Sequence, residues 1–405
     1  MQISQPGCHP FRALLFFVFA VWLFVSAFYY APNLLAGQLV INQQGDILQR
    51  ALKYGFGLSI GLMYFLFSRS KAFAYVAICL LCIGLSLCLL APIRNNSGAV
   101  LETFLVIVSL AATGLYVSSF DRNELKVCGN IIAYTGICVA LVSYFEQFLF
   151  ADVLSTYWEH TGGFRSVSTL LNPNNLGMYL AASAICLFFS PGIILVARIF
   201  GSLLIFGAIL LSGSRTAIAS LLFASLLGFV YKGNMKLRQK GVLIVCFLII
   251  VAIGLGFSSY DQLSAIDRLS DLQTGDIRFQ KYMTFLGEIH PGYLLPDFSG
   301  QRAWLTSESG YFHFFNSLGV ILSSSLLFSL LCHGRLRSPL ISDHNGSHRV
   351  FEVLLLFYAF AMISENVLMS FPNNQLFAIS LAVVSLCKRS GGPYPSVPIK
   401  ESLVK

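Results

Sequence analysis

The chain has 405 residues, 56% hydrophobic and 11% charged, with a formal net charge of +8 and a mean hydropathy of +0.74. Soluble domains carry about 25% charged residues, so this balance excludes an ordinary soluble protein and points to an integral membrane protein. The positive charge suggests nucleic acid at first sight, but membrane topology accounts for it, and no nucleic-acid partner is expected.

A membrane span needs roughly 20 apolar residues. In chain order the predicted spans are 11–30, 51–67, 72–91, 100–119, 127–149, 176–196, 199–212, 216–231, 241–257, 310–332, 350–370 and 375–387. The expected fold class is an all-α, multi-spanning membrane protein of about 12 helices, with 1–405 forming one integral membrane domain. The first span follows Arg12 and lacks a small-residue cleavage site, so it reads as a retained span rather than a signal peptide. Between the sixth and seventh spans, Ser190-Pro191-Gly192 breaks the apolar run, and Arg198 stands in its middle. No internal repeat of the solenoid kind is evident.

Basic residues gather in particular loops: Arg69 and Lys71; Arg122 and Lys126; Lys232, Lys236, Arg238 and Lys240; Arg335, Arg337 and Arg349; Lys388 and Arg389. The positive-inside rule makes these loops cytoplasmic. An even number of predicted spans separates them, so both termini are expected inside. The segment 150–175, the turn at 212–215 and the polar stretch 258–307 are expected outside. None of the ten cysteines lies in an outer loop, so no disulfide framework is indicated. Cys79-x-x-Cys82 has zinc-like spacing but no partner pair and reads as packing within a span.

The stretch 258–307 is the one long polar interruption, between the ninth and tenth spans. It holds Arg268, Arg278, Arg302, Glu288, His290 and five Asp, with Glu308 just beyond. Two further arginines depart from the positive-inside trend. Arg165 follows Gly162-Gly163-Phe164, and Arg215 lies in Ser212-Gly213-Ser214-Arg215-Thr216. Either could be an interfacial anchor whose charged end reaches water. Together on one face they suit an anion site, because a guanidinium is permanently charged and forks onto phosphate oxygens. Asn172-Pro173-Asn174-Asn175 reads as a helix start, with Asn172 or Asn175 as cap, and its amides could also meet sugar hydroxyls. Glu146, Glu365 and Glu102 fall at outer span ends, more as packing partners or counter-ions than as catalysts. Trp304, Tyr293 and Tyr311 suit sugar stacking and the headgroup belt equally.

The order Arg165, Asn172-Pro173-Asn174, Ser214-Arg215-Thr216, a basic inner loop, Gly275-Asp276-Ile277-Arg278, Gly310-Tyr311 and Asn316-Ser317-Leu318-Gly319-Val320 resembles the bacterial O-antigen ligase and polymerase superfamily over roughly residues 160–330. The resemblance implies a GT-C-like, metal-independent glycosyltransferase with no cofactor. Such an enzyme acts on an undecaprenyl-diphosphate-linked oligosaccharide at the outer leaflet of the inner membrane, and a chain-length regulator is compatible as a further partner. By motif, Arg165, Arg215 and Arg278 take the phosphate-binding and catalytic arginine roles. Arg215 and Arg278 would clamp the donor diphosphate, and Arg165 would assist or orient the acceptor. Asn172, Asn174 and Tyr311 are the further substrate-binding candidates. Ligases of the superfamily carry a loop His-Asn where Glu308-Ser309 stands here, which looks more like the polymerase branch. Glu308 is the leading candidate for the base that takes the acceptor's proton, and His290 the second. The alternatives are a ligase passing glycan to lipid A core or protein, a flippase or other 12-span transporter, and a non-catalytic scaffold. Transporters tend to show repeats and charges near the midplane, whereas here the charges gather on one side.

Overall fold

The computed structural model describes residues 9–37, 54–60, 63, 97–160, 163–230, 280–284, 286–287, 309–313, 315–316 and 346–386. Every regular element among them is a helix. The principal ones are α1 (His9–Ser26), α2 (Ala31–Leu35), α3 (Ser97–Val117), α4 (Arg122–Leu149), α5 (Ala151–His160), α6 (Pro173–Phe189), α7 (Leu195–Ser212), α8 (Arg215–Val230), α9 (Gly346–Ala361) and α10 (Asn373–Leu386). Two of them, α4 and α7, are long and apolar enough to cross a membrane; 11–26, 105–117, 215–228 and 373–384 are shorter apolar helices.

Apart from α2 and α5, which lie between predicted spans, these helices overlap the predicted spans, with two corrections. The expected span 350–370 ends as a helix at Ala361, and a turn and a short 3-10 helix, Val367–Met369, fill the rest. The expected span 176–196 ends as a helix at Phe189, and Arg198, expected between the sixth and seventh spans, lies inside α7. It sits in the first turn of α7, where its Nη2 donates to the Ser190 carbonyl at 2.8 Å and satisfies the end of α6. The expected spans 72–91 and 241–257, most of 51–67 and 310–332, and the stretch 258–307 lie outside the described residues.

The core is built around α6. A helix that is apolar on all sides is stable only when other helices surround it or lipid does. Here α6 is buried continuously from Leu176 to Leu187 and packs against α4, α7, α8 and α9. Small residues let the backbones approach: Ser190 Oγ lies in the notch left by Gly129, and Ser183 lies in that left by Gly136. Small-residue seams of this kind suit helix association where lipid supplies no hydrophobic drive. By contrast, Leu14, Phe17, Val21 and Phe24 on α1, and Val196, Ile199, Phe200 and Leu203 on α7, are exposed in helical stripes.

The contacts divide the bundle into two ends. At one, Arg12 pairs with Glu124 at 2.7 Å, and Asp121 and Glu124 form a capping box that starts α4. Lys126 lies against Gly192, and Arg349 Nη2 donates to the Gly228 carbonyl at 3.0 Å. The opposite end carries Glu146, Arg165, Arg215 and Glu365.

A Cβ at position 136 would collide with Ser183. Gly136→Ala is therefore expected to cost about 1–3 kcal/mol by overpacking, outweighing the ~1 kcal/mol that Ala gains over Gly in a helix. Thermal melting of the detergent-purified protein should show the loss, and adding Ser183→Gly should recover part of it.

Candidate functional site

The candidate site is assembled from the α4–α6 connection, the α7–α8 turn and the segment after α9. The α4–α6 connection begins with α5, whose Leu154 buries against Leu34 and Val167. Trp158 of α5 lies edge-on to Phe164, with centroids 5.0 Å apart, and its indole N–H donates to the Arg165 carbonyl at 3.2 Å. A 3-10 helix, Ser168–Leu170, follows, and Asn172 then caps α6 by accepting from the amides of Asn174 and Asn175. Pro173 stands in the first turn, where its missing N–H costs nothing. The capping reading of Asn172 is thus what the structure shows.

Arg165 extends from this connection onto the end of α7. Its Nε donates to the Ser212 carbonyl at 3.0 Å, and its Nη2 donates to Asn174 Oδ1 at 3.1 Å. The Ser166 amide donates to the Leu211 carbonyl at 3.0 Å. These bonds satisfy carbonyls that the end of α7 leaves without helical partners. They also tie Arg165 to the turn that carries Arg215.

That turn is fixed by its small residues. Gly213 adopts φ +60, a left-handed conformation that ends α7. The Ser212 hydroxyl accepts from the Ser214 amide at 3.3 Å, and the Ser214 hydroxyl accepts from the Ala217 amide at 3.4 Å, which starts α8. Gly177 of α6 packs directly beneath, where a Cβ would stand 2.5 Å from that of Ser214. Arg215, partly exposed, opens α8, so its charge adds to the positive end of the helix dipole.

Thr216 carries the site onward. Its hydroxyl is 3.0 Å from that of Ser364 and donates to Glu365 Oε1 at 3.3 Å. The Gly310 amide donates to the carbonyls of Met362 and Glu365 at 3.0 and 3.1 Å, and the Ser309 hydroxyl donates to the Met362 carbonyl at 3.1 Å. The Tyr311 phenol donates to the Ala359 carbonyl at 2.7 Å while its ring stays partly exposed. Of the sequence candidates, Arg165, Asn172, Asn174, Arg215 and Tyr311 therefore belong to one run of neighbouring contacts. Arg278, Glu308 and His290 lie outside the described residues.

Two further features complete this end: Glu146, read in the sequence as a packing partner or counter-ion, and Asn373, which was not singled out there. Glu146 accepts from the Ser166 hydroxyl and from the amides of Val167 and Ser168. Asn373 Nδ2 donates to the Asn175 carbonyl at 3.0 Å, and its Oδ1 accepts from the Tyr358 phenol at 3.1 Å. The second had a readable signal: Pro173-Asn174-Asn175 recurs as Pro372-Asn373-Asn374. Each copy follows a 3-10 helix and opens a long one. Among the described residues no group of three or more His, Cys, Asp or Glu could hold a metal ion.

No protein-family model matches this chain, and neither the curated proteins nor the solved structures give a significant match.

Asn172 and Asn174 should separate by substitution. Asn172→Ala is expected to cost about 1 kcal/mol by uncapping α6, read as a lower melting midpoint. Asn174→Ala leaves that cap in place and removes a partner of Arg165, so its midpoint should fall less.

Proposed function

We propose that this chain is a multi-pass inner-membrane glycosyltransferase that polymerises lipid-linked glycan repeat units, using a polyprenyl-diphosphate-linked donor. The observation that carries the reading is the bond from Arg165 to the Ser212 carbonyl. It brings one arginine onto the turn from which the second, Arg215, projects. The sorting of charge supports the orientation. The end bearing Arg12, Lys126, Arg198 and Arg349 suits the cytoplasm, and the Arg165–Arg215 end suits the outer leaflet. The exposed apolar stripes on α1 and α7 suit lipid contact. An 18-residue helix such as α7 spans ~27 Å, close to the ~30 Å of a bilayer's hydrocarbon core.

In this reading an acceptor sugar hydroxyl attacks the anomeric carbon of the donor. The bond from that carbon to the diphosphate oxygen breaks, and the lipid diphosphate leaves with the electron pair. The diphosphate is already a good leaving group and needs its developing charge stabilised more than it needs a proton. Arginines held at fixed positions in a site of low dielectric supply that stabilisation. Asn174, which accepts from Arg165 Nη2, restricts the guanidinium, so that less ordering is needed when it meets a phosphate. Arg278 is the proposed second arm of the clamp beside Arg215. The proton of the acceptor hydroxyl passes to Glu308, with His290 as the second choice. Positioning of the two substrates carries much of the rate.

Arg215→Ala is expected to abolish chain extension in cells while the protein level stays normal, leaving single repeat units on the final acceptor. Polymer of normal length and yield would overturn the clamp. Arg165→Lys tests the geometry. Loss of activity there means that forked contact is required, and retention means that charge alone suffices.

A further inference from the structure

Glu146 lies at the end of α4 and is fully buried. A buried carboxylate needs donors, and Glu146 has three from consecutive residues. The Ser166 hydroxyl donates at 2.6 Å, the Val167 amide at 3.0 Å and the Ser168 amide at 2.8 Å. These residues follow directly on Arg165. On the other side of the same strip, the Ser166 amide and Arg165 Nε bond the last carbonyls of α7. The connection is thus gripped from α4 and from α7, with Arg165 at the edge of the grip.

The backbone here is not one that the chain adopts freely. Ser168 has φ +46 and Leu171 φ +51, left-handed values that cost non-glycine residues on the order of 1–3 kcal/mol each. Two further bonds help to hold this shape: the Ser168 hydroxyl donates to the Val139 carbonyl at 3.0 Å, and the Thr169 hydroxyl donates to the Ala27 carbonyl at 2.6 Å. Among the described residues, Glu146 is the side chain that accepts from Ser166, Val167 and Ser168 together, the three residues that follow Arg165. A carboxylate suits the task because its two oxygens accept several bonds at once and donate none. Glutamine has the same length but a single acceptor oxygen, and its NH2 group would confront backbone N–H groups. Aspartate is one methylene too short to reach.

We infer that Glu146 is the positioning residue for Arg165: it clasps residues 166–168 so that the guanidinium stays on the Ser212 carbonyl and Asn174, aimed for a phosphate ligand. Its effect on ligand affinity rests on the proposed function, whereas its hold on Arg165 does not.

Two readouts on full-length protein in lipid nanodiscs separate these parts. The first is modification of Arg165 by phenylglyoxal, followed by mass spectrometry, with Arg198 at the opposite end as the internal reference. Glu146→Gln should speed modification of Arg165 and leave Arg198 unchanged. The second is affinity for undecaprenyl diphosphate. Arg165→Ala should weaken it about tenfold or more, as loss of a charged hydrogen-bonding partner does. Glu146→Gln should reproduce most of that loss, and the double variant should add little to Arg165→Ala. Should Glu146→Gln fail to fold, Ser166→Ala removes one donor from the clasp and should move both readouts in the same direction by less. Unchanged Arg165 modification in the folded variant, or losses of affinity that simply add, would overturn the inference. Faster modification in Glu146→Gln together with normal affinity in Arg165→Ala would leave the hold on Arg165 standing and overturn the diphosphate reading instead.

Discussion

A carboxylate sealed from water must be met by donors or it destabilises the fold. Glu146 is such a carboxylate, and its solution organises this end of the protein. By collecting the Ser166 hydroxyl and the amides of Val167 and Ser168, it bends the α4–α6 connection back over the bundle. That bend brings Ser166 and Arg165 to the end of α7, sets Asn172 to cap α6 and delivers Asn174 to Arg165. The α7–α8 turn then closes beneath it with glycine and serine alone, which is why Gly177 of α6 can lie so near Ser214.

The rest of the bundle serves to hold that end still. The central helix α6 is buried along nearly its whole length, and Gly129 and Gly136 admit it close to α4. Its start is braced by Asn373, which bridges the Asn175 carbonyl and the Tyr358 phenol. At the far end, Arg12, Arg198 and Arg349 bond acceptors on neighbouring helices. Charge therefore does different work at the two ends. At one it closes helix termini and interhelical gaps. At the other it includes two arginines that converge on one turn.

Much of the fold was legible from the sequence because long apolar runs fix where helices occur, and α4, α7 and α8 lie close to their predicted limits. The misreadings came where a helix ends inside an apolar run. The end of α9 at Ala361 was missed because Met362 and Ile363, and then Val367, Leu368 and Met369 beyond Ser364-Glu365-Asn366, carry apolar character past it. Arg198 was placed between two spans because its partner, the Ser190 carbonyl, is a backbone group that composition does not reveal. At the site, Asn172 as cap was readable from the Asn-Pro pair. The meeting of Arg165 with Ser212, and of Thr216 with Ser364 and Glu365, was not. Those contacts join segments distant in sequence, and side-chain to backbone bonds leave no periodic trace. Glu146 was read as a packing partner or counter-ion at a span end; which residues it holds depends on the left-handed turn at Ser168, which serine does not announce.

The central claim is that the Arg165–Arg215 turn handles a lipid diphosphate during glycosyl transfer. Its most direct test is reconstitution of the purified full-length protein in proteoliposomes supplied only with lipid-linked repeat units. Glycan chain length and released polyprenyl diphosphate are then counted together. The account predicts a ladder of longer glycans, with one lipid diphosphate freed for each new linkage, and neither product when Arg215 is replaced by alanine. Movement of intact lipid-linked units across the bilayer, with no new linkage and no freed diphosphate, would contradict it and identify a transporter.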